Sequence, residues 1–486
     1  MLSNRVIPFL GCLTLMLNPP NVYSSFINPY PTGRAVCKTN ANVGDPLFLT
    51  PLIEAGKIDE AKSLSFVPPL LDNIVSYSGY LTVDKNYDSN LFFWFFPAEI
   101  NPEIAPVVLW LQGGPGAPSL YGTFYENGPF RLKSGSKIER RPHYWSKTLN
   151  VIYIDNPVGT GFSFTKSEKG YANNEADVGQ NLYSALVQFF RLFPEYRTND
   201  FFVTGESYGG KYVPAAAYTI HKSNPKSGDD HINLKGIAIG DGWVDPLNMI
   251  DYADYLFNLS FIDEATKAKF AAIEKKIKSL LIRQKYTEAF WLLDNYIDAD
   301  LTGYPSLMTN VTGINYYYNF LQGYQSDNNG SDTFMIDYLN REEVRKSIHV
   351  GNLTFNDANL KVERHLLVDT VLSIVPWLET LLDSGKYRVL LYNGQLDIIC
   401  AYPLTMNYVR RLNWFGAEEY KAAQRKMWFV ENGLAGYLKT ASNFTEVLVR
   451  NAGHMVPADQ PRFALDMITR FTNNLPFPHQ PKNRGI

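Results

Sequence analysis

Short apolar runs recur along the chain, and each ends in a glycine-rich or polar loop. The clearest runs lie at 107–111, 151–154, 201–204, 234–239, 389–392 and 447–449. Because consecutive positions are apolar, both faces of each predicted strand are buried, as in a parallel sheet that helices cover. Two earlier runs, at 74–84 and 91–97, are rich in β-branched and aromatic residues and predict a pair of adjacent strands.

Helical patterns separate these strands. After Asn174, the residues Val178, Leu182, Leu186 and Phe190 fall on one helical face. Alternating strands and helices predict an α/β fold with a mostly parallel central sheet flanked by helices. The stretch 251–363 breaks the alternation, with a predicted helix at 263–281 and loops rich in Tyr, Asn and Gly. We interpret it as a helical cap inserted between two parts of the core, 26–250 and 364–486, and a separate domain is the alternative.

Composition agrees with a large folded chain. The 486 residues are 45% hydrophobic and 19% charged, which provides enough apolar sequence for a substantial core and argues against disorder. The formal charge is −3 and no basic tract is present, so nucleic acid is not expected as a partner. We predict no cofactor and no bound metal.

The amino-terminal residues have the layout of a signal peptide. Arg5 precedes an apolar stretch at 6–17, and small polar residues follow, which predicts a signal peptide at 1–25. A membrane anchor, the alternative, needs a longer apolar run, and no later span is long enough to cross a bilayer. We therefore expect a secreted or lysosomal protein with no membrane contact after cleavage.

Sequons and cysteines agree with that route. Five N-x-S/T sequons predict glycosylation at Asn258, Asn310, Asn329, Asn352 and Asn443. Cys12 leaves with the signal peptide, so Cys37 and Cys400 remain. Whether these two form a disulfide is left open by the sequence.

The pattern G-x-S-x-G at 205–209 predicts a nucleophilic serine. The apolar run at 201–204 leads directly into it, and a helical pattern follows. This is the strand–turn–helix setting in which Ser207 would stand above a sheet. The flanking glycines permit the sharp turn. An ordinary glycine-rich turn is the alternative interpretation.

A serine hydroxyl needs a base, and the base needs an acid that orients it. In α/β-hydrolases the chain order is serine, acid, histidine. Of the later histidines, His454 follows a late apolar strand, and Asp397 lies on a loop just after another strand. Asp369 and Asp383 lie in or beside helical segments, and we interpret them as solvated or capping residues. The predicted triad is Ser207, Asp397 and His454.

Two backbone N–H groups are needed to stabilise the oxyanion of the reaction. One belongs to Tyr208, which follows the serine. The other is expected in the loop 112–116, QGGPG, after the strand at 107–111, with Gly114 as first choice and Gly113 as second. The loop lacks the glycine patterns of nucleotide-binding sites, which disfavours a phosphate site.

Six motifs together resemble the serine carboxypeptidases, especially their vitellogenic-like animal members. They are WLQGGPG at 110–116, ENGP at 126–129, DNPVGTGFS at 155–163, GESYGG at 205–210, YNGQLD at 392–397 and AGHMVP at 452–457. The resemblance covers nearly all of the mature chain. It implies an α/β-hydrolase fold, release of single residues from the C-termini of peptides or proteins through an acyl-enzyme, and the option of a homodimer.

The resemblance also implies a cluster that binds the substrate carboxylate, at Trp110, Gln112, Gly113, Glu126 and Glu206. Two carboxyl groups held close resist double ionisation, so one proton is retained above the usual pH range. A protonated glutamate donates to a carboxylate, whereas an ionised one repels it. We therefore expect activity on peptides to be highest at mildly acidic pH.

Two further residues are implied near the leaving amino acid, Cys400 and Met455, with Cys400 as a free thiol. The chain departs from the family at two places. Ala117 and Pro118 follow the GGPG loop where relatives usually carry Cys, and Gln112 stands where many carry Asn. An amide donor is retained at position 112, so we expect carboxylate binding to survive.

Three other functions are weighed against the peptidase. An esterase or acyltransferase would use the same triad, but the two glutamates favour a peptidase. A non-enzymatic adhesion or carrier homologue would be expected to have lost a triad residue, and all three are present. A role as stabilising partner of another enzyme is left open.

Overall fold

The computed structural model describes residues 42–323 and 334–481. The predicted signal peptide, Cys12, Cys37 and the sequon at Asn329 lie outside these residues. The described strands are β1 Phe66–Val67, β2 Ser76–Asp84, β3 Ser89–Phe96, β4 Val107–Leu111, β5 Phe130–Lys133, β6 Lys137–Arg140, β7 Asn150–Ile154, β8 Phe201–Glu206, β9 Leu234–Gly240, β10 Arg388–Gly394, β11 Lys426–Val430, β12 Gly433–Ala441 and β13 Phe444–Val449.

The α-helices occupy both sides of the sheet and the segment between β9 and β10. They are α1 Thr50–Glu54, α2 Ile58–Ser65, α3 Glu175–Leu192, α4 Gly209–Ser223, α5 Pro246–Met249, α6 Tyr252–Asn258, α7 Glu264–Ile282, α8 Tyr286–Ile297, α9 Leu307–Thr312, α10 Phe334–Leu339, α11 Glu342–Ser347, α12 Leu360–Thr370, α13 Val375–Asp383, α14 Tyr402–Val409, α15 Ala417–Ala422, α16 Val456–Asp459 and α17 Pro461–Thr472.

Eleven of the described strands form one sheet, in the order β1-β2-β3-β7-β4-β8-β9-β10-β13-β12-β11. The six central strands, from β7 to β13 in that order, run parallel to one another. The strands at both edges pair antiparallel. Each of the six apolar runs is a central strand, because helices on both faces bury every residue of β4, β7 and β8.

Local signals explain where the principal helices begin. Asn174 accepts a hydrogen bond from the backbone N–H of Asp177 at 3.0 Å and so caps α3. Asp263 accepts one from the N–H of Thr266 at 2.8 Å and caps α7, the helix predicted at 263–281. The strands β11 and β12 were not predicted, because their sequences show no clear alternation of apolar and polar residues.

All elements between β9 and β10 in the described chain are helical, from α5 to α13. The sheet continues from β9 to β10 without a break, and the two strands pair in parallel. The predicted cap boundaries, 251 and 363, fall inside this helical segment. Of the helices in residues 42–323 and 334–481, none alone is both long and apolar enough to cross a membrane, while α12 and α13 meet that test only as a pair bent by 72°.

Candidate active site

A sharp turn at Ser207 joins β8, at the centre of the sheet, to α4. Ser207 has φ of 61°, a left-handed backbone conformation that residues with side chains rarely adopt. The turn needs glycine at Gly205, because a Cβ there would lie 2.6 Å from the carbonyl oxygen of Leu111. The N–H groups of Gly210 and Trp243 donate to the Ser207 carbonyl oxygen, each at 2.8 Å. This geometry places the half-buried serine above the sheet.

His454 and Asp397 form a fully buried pair. Nδ1 of His454 lies 2.9 Å from Oδ2 of Asp397. The carboxylate also accepts hydrogen bonds from the backbone N–H groups of Ile399 and Cys400, which hold it in one orientation. Nε2 of His454 has no hydrogen-bond partner among the described residues, so it is not bonded to Ser207 in this structure. A free Nε2 on an imidazole oriented by a carboxylate is suited to accepting a proton.

The two glycines considered for the oxyanion site are placed differently. Gly114 lines the cavity into which Ser207 opens, together with Tyr208. Gly113 packs against the turn itself, because a Cβ there would lie 2.6 Å from both the backbone nitrogen of Tyr208 and the Cβ of Ser207. Gly114 is therefore the glycine that faces the reacting side of the serine.

A chain of hydrogen bonds joins the side chains expected to bind a carboxylate. Nε1 of Trp110 donates to Oε1 of Gln112 at 2.9 Å. Nε2 of Gln112 donates to Oε1 of Glu126 at 2.9 Å and to Oε1 of Glu206 at 3.2 Å. All four side chains are fully buried. The longer amide at position 112 thus reaches both glutamates, and its donors are engaged.

Burial changes the protonation of the two glutamates. It raises the pKa of Glu126 to about 7. Burial, followed by the negative charge of Glu126, raises the pKa of Glu206 well above its usual value. Apart from the neighbouring carboxyl group, the Oε2 atoms find no hydrogen-bond partner among the described residues. The pair therefore keeps a proton at mildly acidic pH and can donate it in a hydrogen bond to an anion.

Comparison with known proteins agrees with this geometry. The sequence model of the family described as serine carboxypeptidase matches residues 69–474. The chain belongs to the serine carboxypeptidase family. The resemblance seen in the six motifs is thereby confirmed.

Curated relatives match over most of the carboxypeptidase. The venom serine carboxypeptidase of Apis mellifera is 54% identical and covers 93% of this chain and 96% of its own. The probable serine carboxypeptidase CPVL of Homo sapiens is 51% identical, with coverages of 88% and 90%. The vitellogenic carboxypeptidase of Aedes aegypti is 47% identical, with coverages of 92% and 94%. The protein is therefore a serine-type exopeptidase that acts on the C-terminal ends of peptides.

A solved structure agrees on the fold. The prohormone-processing carboxypeptidase Kex1 of Saccharomyces cerevisiae superposes with a TM-score of 0.71 and 24% sequence identity. The match covers 85% of this chain and 96% of the yeast structure. The predicted α/β-hydrolase fold is thereby confirmed.

One buried carboxyl group beside the triad was missed. Asp241 follows β9 directly, is fully buried, and lies in a group with Asp397 and His454. Its Oδ1 accepts from the N–H of Gly394 at 2.8 Å, and burial followed by the charge of Asp397 raises its pKa well above the usual value. Its position at the carboxyl end of a parallel strand was the available signal, since such ends meet at the active-site edge of the sheet.

The interpretation of Asp369 as a solvated or capping residue is wrong in its first part. Asp369 is only 4% exposed and forms a buried ion pair with Lys211 at 2.9 Å. It also accepts from the hydroxyl of Tyr208 at 2.9 Å and from the backbone N–H of Glu175, the first residue of α3. Its helical pattern concealed this, because α12 packs against the core. Asp369 thus fixes the ring of Tyr208 beside the cavity, whereas Asp383 is exposed.

Of the two residues implied for the leaving amino acid, one lies at the cavity. Cys400 is buried, forms no disulfide within residues 42–323 and 334–481, and lines the cavity with Ser207. Burial raises the pKa of its thiol well above the usual value. Met455 is 7% exposed and is not among the residues that line this cavity.

A second set of carboxyl groups, here called the acidic wall, lines two adjoining cavities that both include Ser207 and Gly114. The wall comprises Asp294, Asp298, Asp300 and Glu363. Its residues come from the end of α8, the loop after it, and α12, which packs against α8. Sequence reasoning assigned this segment to the cap and named none of these residues, because nothing in their spacing brings 294–300 next to 363.

Proposed function

We propose that this carboxypeptidase releases C-terminal amino acids through an acyl-enzyme on Ser207, with activity on peptides highest at mildly acidic pH. The observation that carries the proposal is the buried pair Glu126 and Glu206, bridged by Gln112. Glu206 directly precedes Ser207 in the chain. A group that recognises a carboxylate therefore lies beside the serine, as release of a terminal residue requires.

In the proposed reaction, Oγ of Ser207 attacks the last peptide carbonyl while its proton passes to Nε2 of His454. Asp397 orients the imidazole and stabilises its charge. The N–H groups of Gly114 and Tyr208 hold the oxyanion. The C–N bond breaks, His454 protonates the leaving amine, and an ester with Ser207 remains. Water, deprotonated by His454, then hydrolyses that ester.

The terminal carboxylate of the substrate binds the hydrogen-bonded set at Trp110, Gln112, Gly113, Glu126 and Glu206. The protonated glutamate pair donates to it. As the pH rises through about 7, where burial places the pKa of Glu126, Glu126 ionises and the pair loses one proton. Ionised glutamates repel the substrate carboxylate, so binding weakens. Of the two residues that the resemblance implies around the leaving side chain, we keep Met455 in that role. Cys400 lines the cavity of the acidic wall together with Ser207, so we assign it to the part of the substrate that stays on the serine.

We further propose that the protein enters the secretory pathway through a signal peptide at 1–25 and is secreted or lysosomal. Exposed sequon residues support glycosylation at Asn258, Asn310 and Asn352. Asn443 is different, because its amide nitrogen donates to the carbonyl oxygens of Leu382 and Tyr387. We expect the folded protein to accept a glycan there poorly.

The resemblance to the family also allows a homodimer. Light scattering would measure the oligomeric state.

The test is release of free amino acid from an N-blocked dipeptide and from its C-terminal amide, between pH 4 and 8, with Ser207→Ala as control. We expect hydrolysis of the free acid to be faster at acidic pH, and the variant to be inactive. A rate on the free acid that stays flat from pH 4 to 8 contradicts the role of the glutamate pair. If a simple ester is cleaved and neither dipeptide is, the assignment of the triad stands and the assignment of peptides as substrates is wrong.

A further inference from the structure

We propose that the acidic wall binds a cationic group in the part of the substrate that stays on the serine, so that the carboxypeptidase prefers Lys or Arg as the penultimate residue. This inference rests on the proposed function, because it takes Ser207 as the nucleophile. It adds a preference in charge that the triad and the glutamate pair do not supply.

Within the wall, Glu363 lacks the partners that a buried carboxylate needs. It is 6% exposed and lines both cavities that contain Ser207. No described residue donates an amide, hydroxyl or basic hydrogen bond to its side chain, and its polar neighbour is the carboxyl group of Asp300. Oδ1 of Asp300 is buried without a partner among the described residues. Buried polar groups are normally satisfied, so these oxygens point to a ligand that donates.

Asp294 shows what a satisfied member of the wall looks like. Its carboxylate accepts from the backbone N–H groups of Leu301 and Thr302 and from the Thr302 hydroxyl. Asp294 therefore orders the loop after α8, while Glu363 and Asp300 are left facing the cavity. No Lys, Arg or His in residues 42–323 and 334–481 forms an ion pair with any of the four acids.

The wall is short of positive charge. Burial and then the neighbouring carboxyl groups raise the pKa of Asp298 and of Glu363 well above the usual values. Burial raises that of Asp300 to about 7. A cation in the cavity would reverse this effect, because an opposite charge within a few ångströms favours the ionised carboxylate. Positive charge brought by the substrate is what the site lacks.

The wall lies on the acyl side of the serine. Neither cavity is lined by Gln112, Glu126 or Glu206, to which we assign the terminal carboxylate. The leaving residue therefore occupies the other side of Ser207. The penultimate residue, whose carbonyl Ser207 attacks, is the one directed towards the wall.

The cavity suits a long basic side chain better than a small cation. Aromatic side chains line the same cavity as Ser207 and the acids: Tyr208, Trp243, Tyr252 and Phe290. The methylene stem of Lys or Arg packs on apolar and aromatic surface while its charged end reaches carboxylates. The α-ammonium group of a free dipeptide is a second source of the same charge, without a stem to fill the aromatic part.

Four N-blocked dipeptides with C-terminal Leu separate charge from size: Lys, Arg, norleucine and Glu at the penultimate position. We expect kcat/KM for Lys and Arg to exceed that for norleucine about tenfold or more, and Glu to be poorest. Free Leu-Leu against its N-blocked form tests the α-ammonium source. If free Leu-Leu is preferred over its N-blocked form while the N-blocked Lys and Arg substrates show no preference, the wall binds the α-ammonium group. That result would overturn the proposal that it binds a basic side chain.

The double variant Glu363→Gln and Asp300→Asn should reduce the Lys-to-norleucine ratio of kcat/KM to about one. The matched control is Glu288→Gln, on α8, the helix that precedes Asp300; Glu288 is exposed and paired with Lys285, so this variant should keep the wild-type ratio. A ratio that the double variant retains would reject the wall as the cause. A wild-type ratio near one would reject the proposal itself.

A binding measurement separates this inference from the proposed function. On Ser207→Ala, calorimetry compares the N-blocked acids of Lys and norleucine, which are the acyl products. Tighter binding of the Lys product, lost in the double variant, supports the wall even if no peptide is hydrolysed. Equal binding of both overturns it. Binding of Ca²⁺ by the wall, without any preference for Lys, would assign the site to a metal and also overturn it.

Discussion

Two sets of buried carboxyl groups flank Ser207, and they are built in opposite ways. In the glutamate pair, Glu206 ends strand β8 and Glu126 ends a short helical turn, Gly122–Glu126, and the amide of Gln112 bridges them. The acidic wall comes from two helices between β9 and β10, and Glu363 has no such donor. In both sets burial raises the pKa of the carboxyl groups.

The difference teaches that the partner, and not the residue type, decides what a buried acid does. A protonated pair held by an amide offers a hydrogen to an anion. A group of acids without a donor offers oxygens to a cation. The same substrate meets both sets, with its terminal carboxylate at the first and its penultimate side chain at the second.

The largest expected loss of activity comes from the triad, which belongs to neither set of carboxyl groups. The losses expected from the two sets are compared with it. Asp397→Asn should lower kcat about 10⁴-fold on every substrate, because an amide favours the wrong tautomer of His454. The check is hydrolysis of N-blocked dipeptides with acidic, neutral and basic penultimate residues. A loss that depends on the charge of the substrate would count against the assignment of Asp397.

Breaking the glutamate pair should give the next largest effect. Glu206→Ala should raise KM for a free-acid dipeptide about 10- to 100-fold, because a charge-assisted hydrogen bond to the carboxylate is lost. The loss should be smaller for the matching C-terminal amide, which carries no charge. Equal losses on both substrates would mean that Glu206 acts on the serine turn and not on the carboxylate.

The stability of the folded protein should depend on pH through one member of each set, Glu126 and Asp300, and through Asp155, which belongs to neither. Burial raises the pKa of Glu126 from 4.5, and of Asp155 and Asp300 from 3.8, in each case to about 7. The folded protein therefore binds more protons than the unfolded chain between about pH 5 and pH 7. Its free energy of unfolding falls as pH rises through that window, by up to about 1.4 kcal/mol per pH unit for each group.

We accordingly expect a melting temperature a few degrees higher at pH 5 than at pH 7.5, measured by calorimetry. The variants Glu126→Gln and Asp300→Asn should each reduce the change of melting temperature with pH. The size of each reduction measures the contribution of that residue. A melting temperature that rises from pH 5 to pH 7.5 would contradict this account.

The smallest expected effect concerns Asp241. Burial, followed by the charge of Asp397, raises the pKa of Asp241 well above its usual value and favours the protonated carboxyl group, whose shape and donor Asp241→Asn preserves. We expect kcat on a C-terminal amide to change only a few-fold at pH 5. Any loss of activity that ionisation of Asp241 causes at higher pH should be absent from the variant, because an amide cannot ionise. Asp241→Ala creates a cavity and removes the donor. Its kcat should be lower than that of Asp241→Asn at acidic and at higher pH.

Much of the core was predictable because its signals are local. The six central strands are consecutive apolar residues, and Ser207 lies in a short motif between a strand and a helix. The role of Asp369 was not predictable, since its partner Lys211 is 158 residues away and on another helix. Strands β11 and β12, at one end of the sheet, were missed because their apolar and polar residues do not alternate clearly.

The glutamate pair was implied by the resemblance to the family. The sequence by itself determined the α/β order, the serine turn and the candidates for acid and base. These depend on neighbours in the chain and on the rule that parallel strands end at one edge. Only the tertiary structure decided which acids lack a donor and which cavity they face. Burial and hydrogen-bond partners are properties of packing between distant segments, and spacing along the chain does not encode them.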